Sequence, residues 1–260
     1  MFARIETRFL IACMSFVAFN WIVATSGHTE IDPDTIIGLW LLDEGKGKET
    51  KDSSGNELHG TFTGTPKWRD GKFGMGLEFP GGGDTVKIEG FAQDFPAEEV
   101  TITSWVRLEG FKNQDLFSME PLEPSRVTVH FPWDNHVHWQ FSNTGIAPIA
   151  IGDEIKGKWQ HWAFIHSVAD NEMIAYQDGE EARRTPVSKA YVPRAGSFHI
   201  GGRLGSSFEG FVDEVGLFEA VLSQDDIKRI MDNGLQGGVF AVLPTSKLAV
   251  SWGKMKMLRE

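Results

Sequence analysis

The sequence predicts an all-β protein, a two-sheet antiparallel β-sandwich with one short helix near the C-terminus. Three observations carry that reading. Short runs of β-branched and aromatic residues alternate with Gly, Asn, Asp and Pro turn formers along most of the chain. The run VTITSWVRL, residues 100–108, has a period of two, with Val100, Ile102, Ser104, Val106 and Leu108 on one face and Thr101, Thr103, Trp105 and Arg107 on the other. Helical spacing follows only Ser223. The absence of any repeat of about 20 to 50 residues excludes a propeller or solenoid.

Taken in order, residues 36–43 (IIGLWLLD) predict a buried opening strand, and the Gly, Ser, Asn and Asp of residues 44–60 predict turns. Residues 77–79 and 85–88 are short strands between glycines. Residues 126–131 and 136–141 pair as a hairpin around Pro132, Trp133, Asp134 and Asn135. Residues 159–167 and 173–177 pair next, and Asp178-Gly179 marks a tight turn into residues 182–186. Residues 198–201 form a further strand. From Gly210 to Phe218 apolar residues of both parities predict a strand buried on both faces. Ser223 then stands at a helix N-cap with Asp226 three residues on, Ile227, Ile230 and Met231 share a face, and Gly234 marks the stop.

With 41% hydrophobic residues, nine Trp and nineteen Phe, the chain has ample material for a core and for an aromatic binding surface. Residues 1–27 have the layout of a secretory signal peptide: Arg4 and Arg8, an apolar run from Phe9 to Ala24, then small residues. The run is also long enough to stay as an uncleaved anchor, the one case in which the chain would meet a membrane. Residues 10–13, LIAC, resemble a lipobox, but the apolar run continues past Cys13, where a lipobox ends. Cys13 is the only cysteine, so an exported domain would lack disulfides. The net charge of −11 excludes nucleic acid as a partner and suits calcium-rich surroundings. Residues 28–238 are expected to form one domain, and residues 239–260 a C-terminal strand or tail.

The segment FEGFVDEVGLFEAVLSQDDIKRIMDNG, residues 208–234, resembles the closing motif of laminin-G-like jelly rolls in the concanavalin A-like lectin and glucanase superfamily. Four more motifs are similar to that family: GLWLLDEGKGKETKDSSGNELHG, GKFGMGLEFPGGGDTVKI, VTITSWVRL and GKWQHWAFIHSVADNEMIAYQDGEEA. Gly76 and Pro80 depart from the usual alanine and aspartate of the second motif. The resemblance spans about residues 36–234 and implies a concanavalin A-like jelly roll serving either glycan or protein binding.

Two sites are expected. Asp52 and Asn56 of the DSSGN loop, with Asp213, are candidate oxygen ligands for a structural calcium ion, and the resemblance places an ion between the first and last strands. The alternative is that Asp52 and Asn56 are turn formers bonded to their own backbone. Trp133, Asp134, Asn135, His136 and His138 lie on or beside one turn and suit a sugar, held by a stacked ring and hydrogen-bonding side chains. Alternatively, His136 and His138 are ordinary strand residues and Trp139 is core. His161 and His166, five apart in a strand, face opposite ways and share no metal.

No E-x-D-x-x-E run, G-x-S-x-G elbow or phosphate-cradling glycine motif is present. Strand parity also separates Asp213 from Glu214. The expected function is an exported, non-catalytic module for a carbohydrate polymer. A surface-protein adhesion domain is the alternative, and a glycoside hydrolase or lyase with an atypical site comes third.

Overall fold

The alternating run VTITSWVRL lies within the strand Glu99–Leu108, at the centre of a back sheet. The computed structural model describes residues 31–110, 112–123, 126–133, 135–186, 189–203 and 205–240, without the side chains of residues 132 and 133. The leader reading of residues 1–27, Cys13, Asp134 and residues 241–260 lie outside the described residues.

Among the described residues, the back sheet has eight strands in the order Glu180–Thr185, Glu172–Gln177, Trp159–Ser167, Glu99–Leu108, Glu209–Phe218, Met75–Pro80 and Lys67–Asp70, with Ile36–Trp40 also pairing to Glu209–Phe218. The front sheet has eleven. Its main path runs Thr144–Gly145, His136–Phe141, Val127–Trp133, Asp115–Glu120, Ser197–Ile200, Thr85–Ile88, Gly60–Thr63 and Glu49–Thr50. Nearly all strand pairs are antiparallel; the one exception is the bridge Ser207 to Asp115.

Between the sheets lies one apolar layer in which Phe79, Phe117, Phe131, Trp139, Phe141, Trp162, Phe164 and Phe198 are almost fully buried. Trp162 stacks on Phe164 at 5.8 Å, and Phe141 stacks on His166 at 3.8 Å. Burying one such ring contributes about 1.5–3 kcal/mol, which accounts for a core with no disulfide among the described residues.

A second apolar cluster forms on the outer side of the back sheet, where Ile227, Ile230 and Leu235 of the helix Gln224–Gly238 cover Leu39, Ala163, Ile165 and Phe218. That helix explains why Glu209–Phe218 is apolar on both parities: one face meets the core and the other meets the helix. Ser223 and Asp226 cap the helix reciprocally, as their spacing predicts. Gly234 ends the regular helix, as its place in the sequence predicts. The residue takes φ 67°, breaks the helix, and the chain makes one more turn to Gly238 that buries Leu235. No described helix is long and apolar enough to cross a membrane.

Candidate functional site

The front sheet turns a polar face outward. Along His136–Phe141 burial alternates strictly: Val137, Trp139 and Phe141 enter the core, and His136, His138 and Gln140 are half-buried on the other side. The neighbouring strand repeats the parity, with Val127, Val129 and Phe131 in the core and Thr128 and His130 on the opposite face, where both are buried.

Register then aligns these outward residues into rows. One row crosses the sheet as Gln140, Thr128, Ser118, His199, Lys87 and Thr61. Four strand intervals separate Gln140 from Lys87, a span of about 19 Å at the usual strand spacing. A second row is His138, His130 and Asp115. The histidine rings form a chain, His130 to His138 at 6.4 Å and His138 to His136 at 6.1 Å.

Ion pairs and hydrogen bonds tie the rows together. Arg203 Nε lies 3.0 Å from Asp115 Oδ2, and His130 Nδ1 lies 2.5 Å from Asp115 Oδ1. His130 Nε2 meets Thr128 Oγ1 at 3.4 Å, and that hydroxyl donates to Gln140 Oε1 at 3.3 Å. The carboxylate partner at Nδ1 orients the ring of His130. Ser118 is fully buried, and its hydroxyl finds no partner among the described residues. His199 Nε2 lies 3.5 Å from Glu120 Oε2; burial holds its imidazole below the usual basicity, and Glu120 opposes that only in part. At one end of the face a cleft of about 390 Å³ opens between the 81–83 and 205–207 turns, with Lys112 and Asn113 on its wall.

Of the expected sugar-binding residues, the structure brings His136 and His138 onto this face. Asn135 is at the exposed turn with φ 58°, and Trp133 pairs with His136 in register. Asp115, Ser118 and His199 were not anticipated. The strand Asp115–Glu120 has two successive inward residues, Leu116 and Phe117, because its register shifts between Asp115 and Phe117. That irregularity breaks the period of two that marks a strand in sequence.

The expected calcium ligands are occupied otherwise. Asp52 accepts from the N–H groups of Leu39, Ser54 and Leu58 at 2.8–3.1 Å and from the Ser54 hydroxyl at 2.7 Å. Asn56 Nδ2 donates to the carbonyls of Ile36 and Ile37. Asp213 accepts from the N–H groups of Lys72, Phe73 and Glu214. Among the described residues no three His, Cys, Asp or Glu side chains converge on one point as metal ligands would. The donor set therefore fits main-chain bracing better than a shared ion.

Parity does not separate Asp213 from Glu214, and that expectation is corrected. The strand bulges between Asp213 and Gly216, with Glu214 at φ 54°, so both acids lie outside the core between inward Val212 and Val215. Glu214 Oε2 accepts the Leu235 N–H at the helix break. Burial pushes Asp213 up to about 8, the Phe73 and Lys72 N–H bonds opposing it, and pushes Glu214 up to about 7. At 0% and 4% exposure the two acids present no open catalytic surface. His161 and His166 do face opposite ways: His161 packs edge-on against Trp105, and His166 stacks on Phe141 in the core. Burial lowers them to about 3 and about 4, so both are neutral.

Among solved structures, the chain is similar to domain 4 of AbnA, a GH43 extracellular arabinanase from Geobacillus stearothermophilus, in complex with arabinotriose. The identity is 19% and the TM-score 0.62, over 76% of this chain and 98% of that one. It is similar to the binding domain of Paraclostridial Mosquitocidal Protein 1, at 13% identity and a TM-score of 0.60 over 76% of this chain and 52% of that one. It is also similar to Trypanosoma rangeli sialidase, at 15% identity and a TM-score of 0.59, but covers 33% of that chain. At these identities the likeness shows the fold. No curated protein sequence matches. The Laminin_G_3 family model matches residues 80–228, more than half of the chain, and with two packed antiparallel sheets closed by one C-terminal helix, the chain belongs to the concanavalin A-like lectin/glucanases superfamily.

Proposed function

We propose that the protein is an exported, non-catalytic module that binds a carbohydrate polymer on the outer face of its front sheet. The observation that carries this reading is the pair of polar rows, in which His138, Gln140, His130, Thr128 and their neighbours sit at strand spacing on one surface. A polymer of repeating hydroxyls is matched by donors and acceptors repeated at a regular interval. The fold supports the reading, since the similar arabinanase domain is seen with arabinotriose and belongs to an extracellular enzyme. Trp133 and Asn135, at the turn leading into this face, would add a stacking ring and an amide at its margin.

A polysaccharide and glycan array probed with residues 28–260 tests the proposal. Binding to at least one polymer is expected, weakened about tenfold by His138→Ala and by Trp133→Ala, the loss of one stacking or hydrogen-bonding anchor. Retained binding in Trp133→Ala alone removes that ring from the site. An array with no signal, together with a protein captured by cross-linking on intact cells, would replace the glycan with a surface-protein partner.

A further inference from the structure

The polar face carries many ionic groups, and their arrangement bears on which glycan it suits. Among the described residues, four basic side chains on or beside it are paired with acids, and Arg194 donates to the Pro121 carbonyl. Arg203 is paired with Asp115, Lys87 with Glu89, Arg126 with Glu123 and Lys112 with Glu209. His199 has Glu120 beside it, and burial holds its imidazole below the usual basicity. The groups that bridge these pairs along the first row are uncharged: Gln140, Thr128 and Ser118. Ser118 brings a buried hydroxyl with no partner among the described residues, a group that ordinarily has one in a folded protein. To receive a carboxylate or sulfate at Arg203, the face would have to break the one of these pairs whose acid is fully buried, drawing the cation away from Asp115. The chain as a whole repels such a ligand as well, with a net charge of −11.

Resting on the carbohydrate reading above, we infer that the ligand is an electrically neutral, hydroxyl-rich glycan rather than a uronate or sulfated one. Recognition then runs through neutral hydrogen bonds. Charge pairing on the face serves to hold side chains in register and does not contact an ionic group of the ligand.

Isothermal titration or affinity electrophoresis at pH 8, above the range in which an imidazole ordinarily carries charge, tests this with three polymers: linear arabinan as the neutral probe, polygalacturonate as the anionic one and N,N,N-trimethyl chitosan oligosaccharide, whose quaternary ammonium stays charged at that pH, as the cationic one. The neutral polymer is expected to bind, with affinity changing less than about twofold between 50 and 500 mM NaCl, since no net ion pairing is formed. Gln140→Ala is expected to lower that affinity about fivefold, the loss of one neutral hydrogen bond. Preference for polygalacturonate or trimethyl chitosan, or a steep fall of affinity with salt, would overturn the neutral-ligand inference while leaving the carbohydrate reading intact. If none of the three binds and a wider array is also silent, the carbohydrate reading itself fails. Circular dichroism of each variant separates a lost contact from a lost fold.

Discussion

Asp213 and Glu214 show how one backbone angle redirects two side chains. In a regular strand neighbours alternate faces, but Glu214 sits at φ 54° inside a bulge, and both acids stay outside the core. Asp213 braces the turn at Lys72 and Phe73, while Glu214 braces the helix break at Leu235. Their burial has a measurable consequence. Both groups have folded-state pKa values raised above the ordinary 3.9 and 4.3 of an unfolded chain. Their contribution to stability is therefore complete below about pH 4 and is lost as pH rises through about 7 and 8. His161 and His166 act with the opposite sign. Lowered in the folded state, they stabilise fully above about pH 6.5 and lose that contribution as pH falls toward 4 and 3. Above pH 6.5 the histidines contribute no slope, so the melting temperature is expected to fall from pH 6.5 to pH 9. Asp213→Asn should flatten that fall and melt about 2–4 °C above wild type at pH 9, equivalent to about 1 kcal/mol. A wild-type melting temperature that stays constant or rises over the interval would show that these acids are not held protonated.

At the scale of elements, the sequence announces those that keep their period and hides those that break it. The strand containing Val100–Leu108 and the His136–Phe141 strand alternate without interruption and are legible. Asp115–Glu120 carries a register shift, and Lys67–Asp70 has only one half-buried residue, Trp68, among exposed ones, so neither offers a pattern to read. The helix is legible at its start and at its break at Gly234, but the turn beyond that break is not. A reciprocal cap of Ser223 and Asp226 is a local arrangement, complete within four residues. The extra turn after Gly234 exists because Leu235 finds an apolar cover and Glu214 accepts its N–H, and neither is local. Removing the cap with Ser223→Ala is expected to cost about 1 kcal/mol, lowering the melting temperature about 2–4 °C, whereas Ser223→Asn should be close to neutral. Equal losses for both would place the effect in something other than the cap.

For the whole molecule, stability without disulfides among the described residues rests on the aromatic core between the sheets and on the helix that closes the back. A calcium ion on Asp52, Asn56 and Asp213 would have to displace the main-chain N–H bonds that now occupy the two acids. Thermal unfolding of chelator-treated protein with and without millimolar calcium checks this: no shift is expected from bracing alone, and a rise of several degrees would establish an ion. The same packing turns alternate residues of the front-sheet strands away from the core, where Thr128, Ser118, His130 and His199 are buried and His136, His138, Gln140 and Lys87 are half-buried.

The sequence by itself determined the fold class, the main strand periods, the helix cap and the acidic balance, because each depends on neighbours a few residues away or on composition. Part of the candidate site was legible in the same way: His136 and His138 stand out on a regular strand beside a turn. Which residues join them was decided only by tertiary structure. Asp115, Ser118, His199 and Lys87 come from three other strands and reach the same face through inter-strand register. The employment of Asp213 and Glu214 was likewise decided by a bulge and a distant helix. Register and bulges are set by contacts between segments far apart in the chain, and the local pattern of residues does not carry them.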